Sequence, residues 1–268
     1  MTLPQTPGST STPSLRSYRA EGPWRHLRVA AAYRRQRGND LVLGAILAFV
    51  AGAINAGGFL AVGRYTSHMT GVVSSIADDL ALGLFSFVGA GFALLLAFLS
   101  GAACSAILIN WARRHARRKQ YAYPLALESA LLIVFAGLGT LHANAVAPAT
   151  AALLCFVMGL QNATITKISG ARIRTTHLTG MVTDIGIELG KFAYLALARL
   201  LSHPPVPVDG RKLAILLPIV SMFFLGGLVG ALGFKHLGHA FALPIAVLLL
   251  AIASPQLQDR RKGPATLT

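Results

Sequence analysis

Acidic side chains are scarce in this sequence. Nine stand among 268 residues, and charged residues of both signs make up 12% of the chain, about half the share of an ordinary soluble domain at roughly 25%. A chain that is 54% hydrophobic cannot clothe a soluble globule with so few charges. Cysteine is also sparse. Cys104 and Cys155 lie inside apolar runs, where a thiol behaves as a small hydrophobe, and two such residues make neither a disulfide framework nor a metal site. Enzyme signatures are missing: there is no Gly-x-Ser-x-Gly, no His-Glu-x-x-His and no Gly-x-x-x-x-Gly-Lys, nor a nucleophile spaced against a base. The expectation is therefore no enzyme, no cofactor and no metal. No apolar core ending in small residues precedes Leu41, so the first span is expected to direct insertion in place of a cleaved leader.

What the chain does contain is long uncharged stretch. Leu41 to Gly63, Leu80 to Ala112, Ser129 to Thr166, Leu213 to Phe234 and His236 to Gln258 carry no formal charge. About 20 apolar residues cross the hydrocarbon core at 1.5 Å rise each, so every stretch can hold a span and the two longest can hold more. These features describe an all-α polytopic membrane protein. The net charge of +15 would suggest nucleic acid in a soluble chain. Here the cations gather at the ends of apolar runs with no interleaved aromatics, a pattern that orients spans in a bilayer, and no nucleic-acid partner is expected.

Residues 1–40 read as a disordered basic tail rich in Ser, Thr, Pro and Arg. A basic helix over Trp24 to Arg37 lying on anionic lipid is the alternative to a solvated tail that only sets orientation. Eight apolar helices are expected in a single transmembrane domain over 41–254, followed by a short basic tail over 255–268. Their approximate limits are Leu41–Gly63, His68–Leu82, Phe85–Trp111, Tyr123–His142, Ala149–Ile168, His177–Leu200, Leu213–Phe234 and His239–Ala253. Pro204, Pro205, Pro207, Asp209 and Gly210 mark the longest loop between them.

An internal repeat emerges from the polar residues. Gly52-Ala-Ile-Asn55-Ala56 recurs as Gly159-Leu-Gln161-Asn162-Ala163, and Thr66-Ser-His68-Met-Thr70-Gly71 recurs as Thr175-Thr176-His177-Leu-Thr179-Gly180. Two pseudo-symmetric repeats follow, 41–143 and 149–254. If all eight helices spanned, the N-terminal arginines and the cluster of Arg113, Arg114, Arg117, Arg118 and Lys119 would face opposite sides. If the helices after His68 and His177 are short re-entrant or broken elements, six full spans remain. The large basic groups and both termini then lie in the cytoplasm, and the repeats are inverted. Six is the preferred count, with seven or eight as the alternative because the second of these helices is long enough to cross.

The repeated motifs supply the candidate residues. Asn55-Ala-Gly57-Gly58 could unwind its helix, and Thr70-Gly71 and Thr179-Gly180 could start helices whose free N–H groups suit an anion or polar solute. For the glycines taken alone close helix packing is the preferred reading, and for the duplicated Asn and His-x-Thr-Gly set a site is preferred. His177, Gly180, Asp184, Glu188 and Lys191 share one helical face, matched in the first repeat by His68, Gly71, Ser75 and Asp79. Acids at membrane depth are functional candidates by default. Asp184 and Glu188 would share a proton or hold a cation, unless Lys191 simply neutralises Glu188. Glu128 is a further candidate, placed near enough to its helix start to reach the headgroups. The proposed solute or ion pathway comprises Asn55, His68, Thr70, Gly71, Asp79, Gln161, Asn162, Thr176, His177, Thr179, Gly180, Asp184 and Glu188.

These motifs carry a resemblance. Ala51-Gly-Ala-Ile-Asn55-Ala56, Ser67-His-Met-Thr70-Gly71, Met158-Gly-Leu-Gln161-Asn162-Ala163 and Thr175-Thr-His-Leu-Thr179-Gly180 followed by Thr183-Asp184 resemble the YoaK-like family of uncharacterised bacterial inner-membrane proteins. The resemblance spans about Leu41 to Ala253. It implies a multi-pass inner-membrane location and this architecture, and it leaves the substrate unassigned. The family commonly places Asp where Asn55 stands and Asn where Val72 stands, so this member lacks a charge and an amide in its first half. The expected function is a transporter or channel for a small polar or ionic solute, a proton or a cation. A non-transporting scaffold or sensor with a lipid- or partner-binding basic tail is the alternative, and homo-oligomerisation stays open.

Overall fold

A computed structural model describes residues 37–116, 119–139, 143–168, 176–201 and 207–258. The expectations for residues 1–36, for Arg117, Arg118, Arg172, Arg174 and Thr175, and for the tail beyond Gln258 lie outside the described residues. The described residues form eight helices: α1 (Arg37–Val62), α2 (Met69–Ala81), α3 (Phe85–His115), α4 (Ala122–Leu138), α5 (Ala143–Ile168), α6 (Leu178–Leu201), α7 (Gly210–Leu237) and α8 (Ala242–Gln258). A 3-10 turn, Gly238–Phe241, joins the last two. Four stretches, Leu41–Val62, Phe85–His115, Ala147–Ile168 and Gly210–Gln258, are long and apolar enough to cross a membrane. Their outward faces bear exposed large side chains, among them Phe92, Leu96, Leu99, Ile107, Phe224, Leu228 and Val247. Water would penalise so continuous an apolar surface, and acyl chains would not. The protein is an all-α, multi-spanning membrane bundle.

Local chemistry sets the helix ends. Asp209 accepts at Oδ1 from the backbone N–H groups of Arg211 and Lys212, each at 3.0 Å, and so caps α7. Arg113 and Arg114 lie in the last turn of α3 and Lys235 in the last turn of α7, cations at the negative ends of helix dipoles. Lys119 donates from Nζ to the Leu257 carbonyl at 2.8 Å and satisfies an orphan acceptor at the end of α8.

Helix packing crosses between the two halves of the chain. The most extensive interfaces are α1 with α7, α3 with α5, and α4 with α8. Both of the first two rest on a Phe-x-x-Gly pair. A Cβ on Gly52 would meet the Phe223 carbonyl oxygen, and one on Gly226 would meet the Phe49 carbonyl oxygen. In α3 and α5, Gly159 lies in the same way over the Phe98 carbonyl and Gly101 over that of Phe156. Phe49 to Phe156 and Gly52 to Gly159 are both 107 positions apart, and Phe98 to Phe223 and Gly101 to Gly226 both 125. The two crossings are therefore built alike from corresponding residues, with glycine letting the backbones touch.

Of the two readings of Asn55-Ala-Gly57-Gly58, the structure takes close packing. Helix α1 runs unbroken through Asn55-Ala-Gly57-Gly58 to Val62, where Gly63 turns the chain at φ 69. Gly57 and Gly58 serve packing instead of unwinding: the Phe234 ring fills the place of a Gly57 Cβ, and the Thr66 side chain lies 3.0 Å from that of Gly58. Helix α2 is short, as expected, at 13 residues, but α6 is one continuous helix of 24. The main core draws on α1, α4, α5, α7 and α8 around Leu47, Leu132, Phe135, Met158 and Leu249. A smaller cluster seats Val72 and Ile76 of α2 against Leu94, Ala151 and Cys155.

Candidate functional site

The repeated asparagines tie their helices to the turns that begin the next ones. Asn55 accepts at Oδ1 from the Ser67 hydroxyl at 2.9 Å and from the Ser67 backbone N–H at 3.2 Å. Asn162 accepts at Oδ1 from the Thr176 hydroxyl at 2.6 Å. Ser67 and Thr176 are corresponding residues of the two motifs, so the same hook holds the start of α2 and the start of α6. Both helices then open with the same backbone bond at 3.1 Å, from the Val72 N–H to the His68 carbonyl and from the Met181 N–H to that of His177. The His68 ring packs where a Gly71 Cβ would stand. Thr70, Thr179, Gly180 and His177 are exposed, and Thr179 accepts at its backbone carbonyl from the Thr183 hydroxyl at 2.8 Å.

Where α5 meets α1, Gln161 is fully buried. Its Nε2 donates to the Leu47 carbonyl across the interface at 3.2 Å, while its Oε1 has no hydrogen-bond partner. One turn along α5, the Thr164 hydroxyl donates to the Leu160 carbonyl at 2.7 Å, leaving its oxygen to accept from Ser105 of α3 at 2.8 Å. The buried Thr66 hydroxyl oxygen, beside Gly58, is also without a partner.

The acidic stripe of α6 faces the start of α7. Asp184 pairs with Lys212 at 2.9 Å, both half-exposed. Glu188 is buried, pairs with Lys191 at 2.9 Å, and accepts from the Asp209 backbone N–H at 2.9 Å. Helix α6 is not among the stretches apolar enough to span. There the Asp209 N–H, followed by the Lys191 ammonium, holds the Glu188 carboxyl below the ordinary carboxylate range. The reading in which Lys191 neutralises Glu188 thus describes the contact observed. Asp79 is half-buried on α2, which packs on α3, whereas the α6 acids pack toward α7. No hydrogen bond or ion pair joins Asp79 to Asp184 or Glu188 among the described residues.

Glu128 does not reach the headgroup region as expected. Its side chain is fully buried in α4, and neither carboxyl oxygen has a hydrogen-bond partner. The helix face explains this: Leu125 and Leu132, one turn to either side, are core residues as well.

Residues 43–254 match the family described as "Protein of unknown function (DUF1275)". The chain belongs to this family. It is also similar to the UPF0700 transmembrane protein YoaK of Bacillus subtilis (strain 168), with 27% identity over 157 residues, 58% of this chain and 67% of that protein. No solved structure matches. The family match covers all eight helices apart from a few terminal residues, so both asparagine hooks, Gln161, Glu128 and the α6 acids lie inside it.

Sequence reasoning missed several partners in these sites. Ser67 carried a signal, since it aligns with Thr176 in the repeated motif. Lys212 and Asp209 carried none, because nothing local to α6 or α7 in the sequence sets the contact between them. The four Phe-x-x-Gly elements are visible in the sequence only after the helix pairs are known.

Proposed function

We propose that this protein binds and moves a small polar or ionic solute across the bacterial inner membrane, as a transporter or channel, along the seam between α1 and α5. On this reading the halves α1–α4 and α5–α8 are inverted repeats with three crossings each, and α2 and α6 do not cross. Helix α2, at about 20 Å, is shorter than the hydrocarbon core at about 30 Å, and the charges on α6 disfavour full insertion. Six crossings keep the basic clusters and both termini in the cytoplasm. The matching asparagine hooks and the two alike Phe-x-x-Gly crossings support the repeat.

The observation that carries the proposal is Gln161. A buried carbonyl oxygen left unpaired costs about 1–3 kcal/mol. A solute with an N–H or O–H group, or a cation, satisfies it at the place where the halves touch. In a thermal-shift screen of the purified protein against ions and metabolites, at least one solute is expected to raise the melting temperature by mass action. Gln161→Leu abolishes that shift without lowering the unliganded melting temperature, and the same solute enters reconstituted vesicles. No shift across the panel, together with no uptake, refutes the proposal.

The ion pairs of Asp184 with Lys212 and of Glu188 with Lys191 favour a second reading, a non-transporting scaffold or sensor in which these acids are structural. Asp184→Asn separates the two. Loss of uptake or of its pH dependence assigns Asp184 to the pathway, and unchanged flux leaves it a structural partner of Lys212.

A further inference from the structure

Among the described residues, Glu128 is the acid that is fully buried with both oxygens unpartnered. The other buried acid, Glu188, has an ammonium and a backbone N–H to hold its charge. Glu128 is the seventh residue of α4, about 9 Å along the axis from the first, and it lies within the apolar packing of the bundle. The neighbouring Ser129 hydroxyl is committed to the Ala246 carbonyl of α8 at 2.8 Å. A carboxylate cannot keep its charge in such surroundings without a counter-ion, hydrogen bonds or water.

Among the described residues, the elements packed on α4 supply neither a counter-ion nor a hydrogen-bond partner to the carboxyl. Helix α8 contains no titratable side chain from Ala242 to Gln258. The 3-10 turn contributes His239, whose ring lies tilted against Phe135 at 4.8 Å between centroids, two turns along α4. From α5 come the buried Cys155 and the exposed terminal Lys167, and from α3 come Cys104 and the terminal Arg113, Arg114 and His115. Arg113 donates from Nε to Gln120 Oε1 at 3.0 Å.

This geometry also selects among cations. Hard metal ions demand about six oxygen ligands, and among the described residues Glu128 belongs to no cluster of His, Cys, Asp or Glu that could hold one. A proton needs one lone pair. We propose that Glu128 is a proton-binding site: the closed bundle holds it as the neutral acid, and it gives up its proton to water only when α4 and α8 part. The step adds one proton to a carboxylate oxygen or removes it to water, and no other bond changes. Proton binding stands on the geometry of α4. Its use to couple solute movement rests on the function proposed above.

The test uses the full-length protein in vesicles and dicyclohexylcarbodiimide, an apolar reagent that attacks protonated carboxyls. Peptide mapping is expected to find the label on Glu128 at neutral pH, declining as pH rises, with Asp184 and Glu188 unlabelled. The infrared spectrum shows a protonated-carboxyl C=O band at neutral pH that Glu128→Gln removes. Gln reproduces the shape of the neutral acid, and the wild-type label needs no variant. Absence of the label, or absence of the band from the wild-type protein, overturns the proposal. A label and band on a protein that moves no solute sustain the proton site and refute the transport reading. Flux that loses its pH dependence in Glu128→Gln joins the two.

Discussion

Adding one methyl group at Gly226 tests the helix crossing on which the bundle depends. The new Cβ of Gly226→Ala would fall on the Phe49 carbonyl oxygen of α1. That atom belongs to a helical backbone and cannot rotate aside, so α1 and α7 must separate. Overpacking of this kind costs about 1–3 kcal/mol, and the rigid obstacle sets the expectation at the upper end. Alanine returns about 1 kcal/mol of helix propensity relative to glycine, which leaves a net loss of about 2 kcal/mol. Gly186 of α6 is the control, because a Cβ there meets nothing within 4 Å. Gly186→Ala should therefore be neutral or stabilising by up to about 1 kcal/mol. Unfolding in mixed micelles, followed by circular dichroism, should separate the two variants by about 2–3 kcal/mol, roughly thirty- to a hundredfold in the equilibrium. Gly159→Ala, set over the Phe98 carbonyl in the other crossing, should match Gly226→Ala. Equal midpoints for Gly226→Ala and Gly186→Ala would refute the packing argument.

Asn162→Ala removes the acceptor of the Thr176 hydroxyl and should cost about 1 kcal/mol. Amide hydrogen exchange should quicken at the start of α6 while the centre of α5 stays protected, and uniform acceleration along both helices would contradict a local hook. For Glu188, whose carboxyl lies below its ordinary range in the folded state, the folded protein binds fewer protons than the unfolded chain. The stabilisation is fully present above the unfolded value and is lost as pH falls through the lowered folded value. Stability measured against pH should decline in that acidic window for the wild-type protein and less steeply for Glu188→Gln, whereas parallel profiles would remove Glu188 from the joint between α6 and α7.

The order of helices was legible because lipid imposes a one-dimensional rule: every span must be apolar along its length, and composition alone reveals where that holds. The expected segment Phe85–Trp111 and the observed α3, Phe85–His115, differ by one turn, since basic residues can extend a helix into the headgroups. The repeated motifs were legible too, because Asn55 and Asn162 perform the same bond with Ser67 and Thr176. The fate of Asn55-Ala-Gly57-Gly58 was not. Glycines next to an amide suit an unwound turn and a close helix contact equally, and only the Phe234 ring and the Thr66 side chain decide for contact.

Sequence by itself determined that this chain is a multi-spanning helical membrane protein, with the order of its helical segments and a recurring polar motif, since solvation by lipid and local helix geometry act on neighbouring residues. Tertiary structure alone decided which helices pair, that Asp184 meets Lys212, and that Glu128 faces the packed interior instead of the headgroups. Those outcomes depend on distances between residues far apart in the chain. An acid on an apolar helix has the same local sequence whether its side chain is wet, paired or alone in the core.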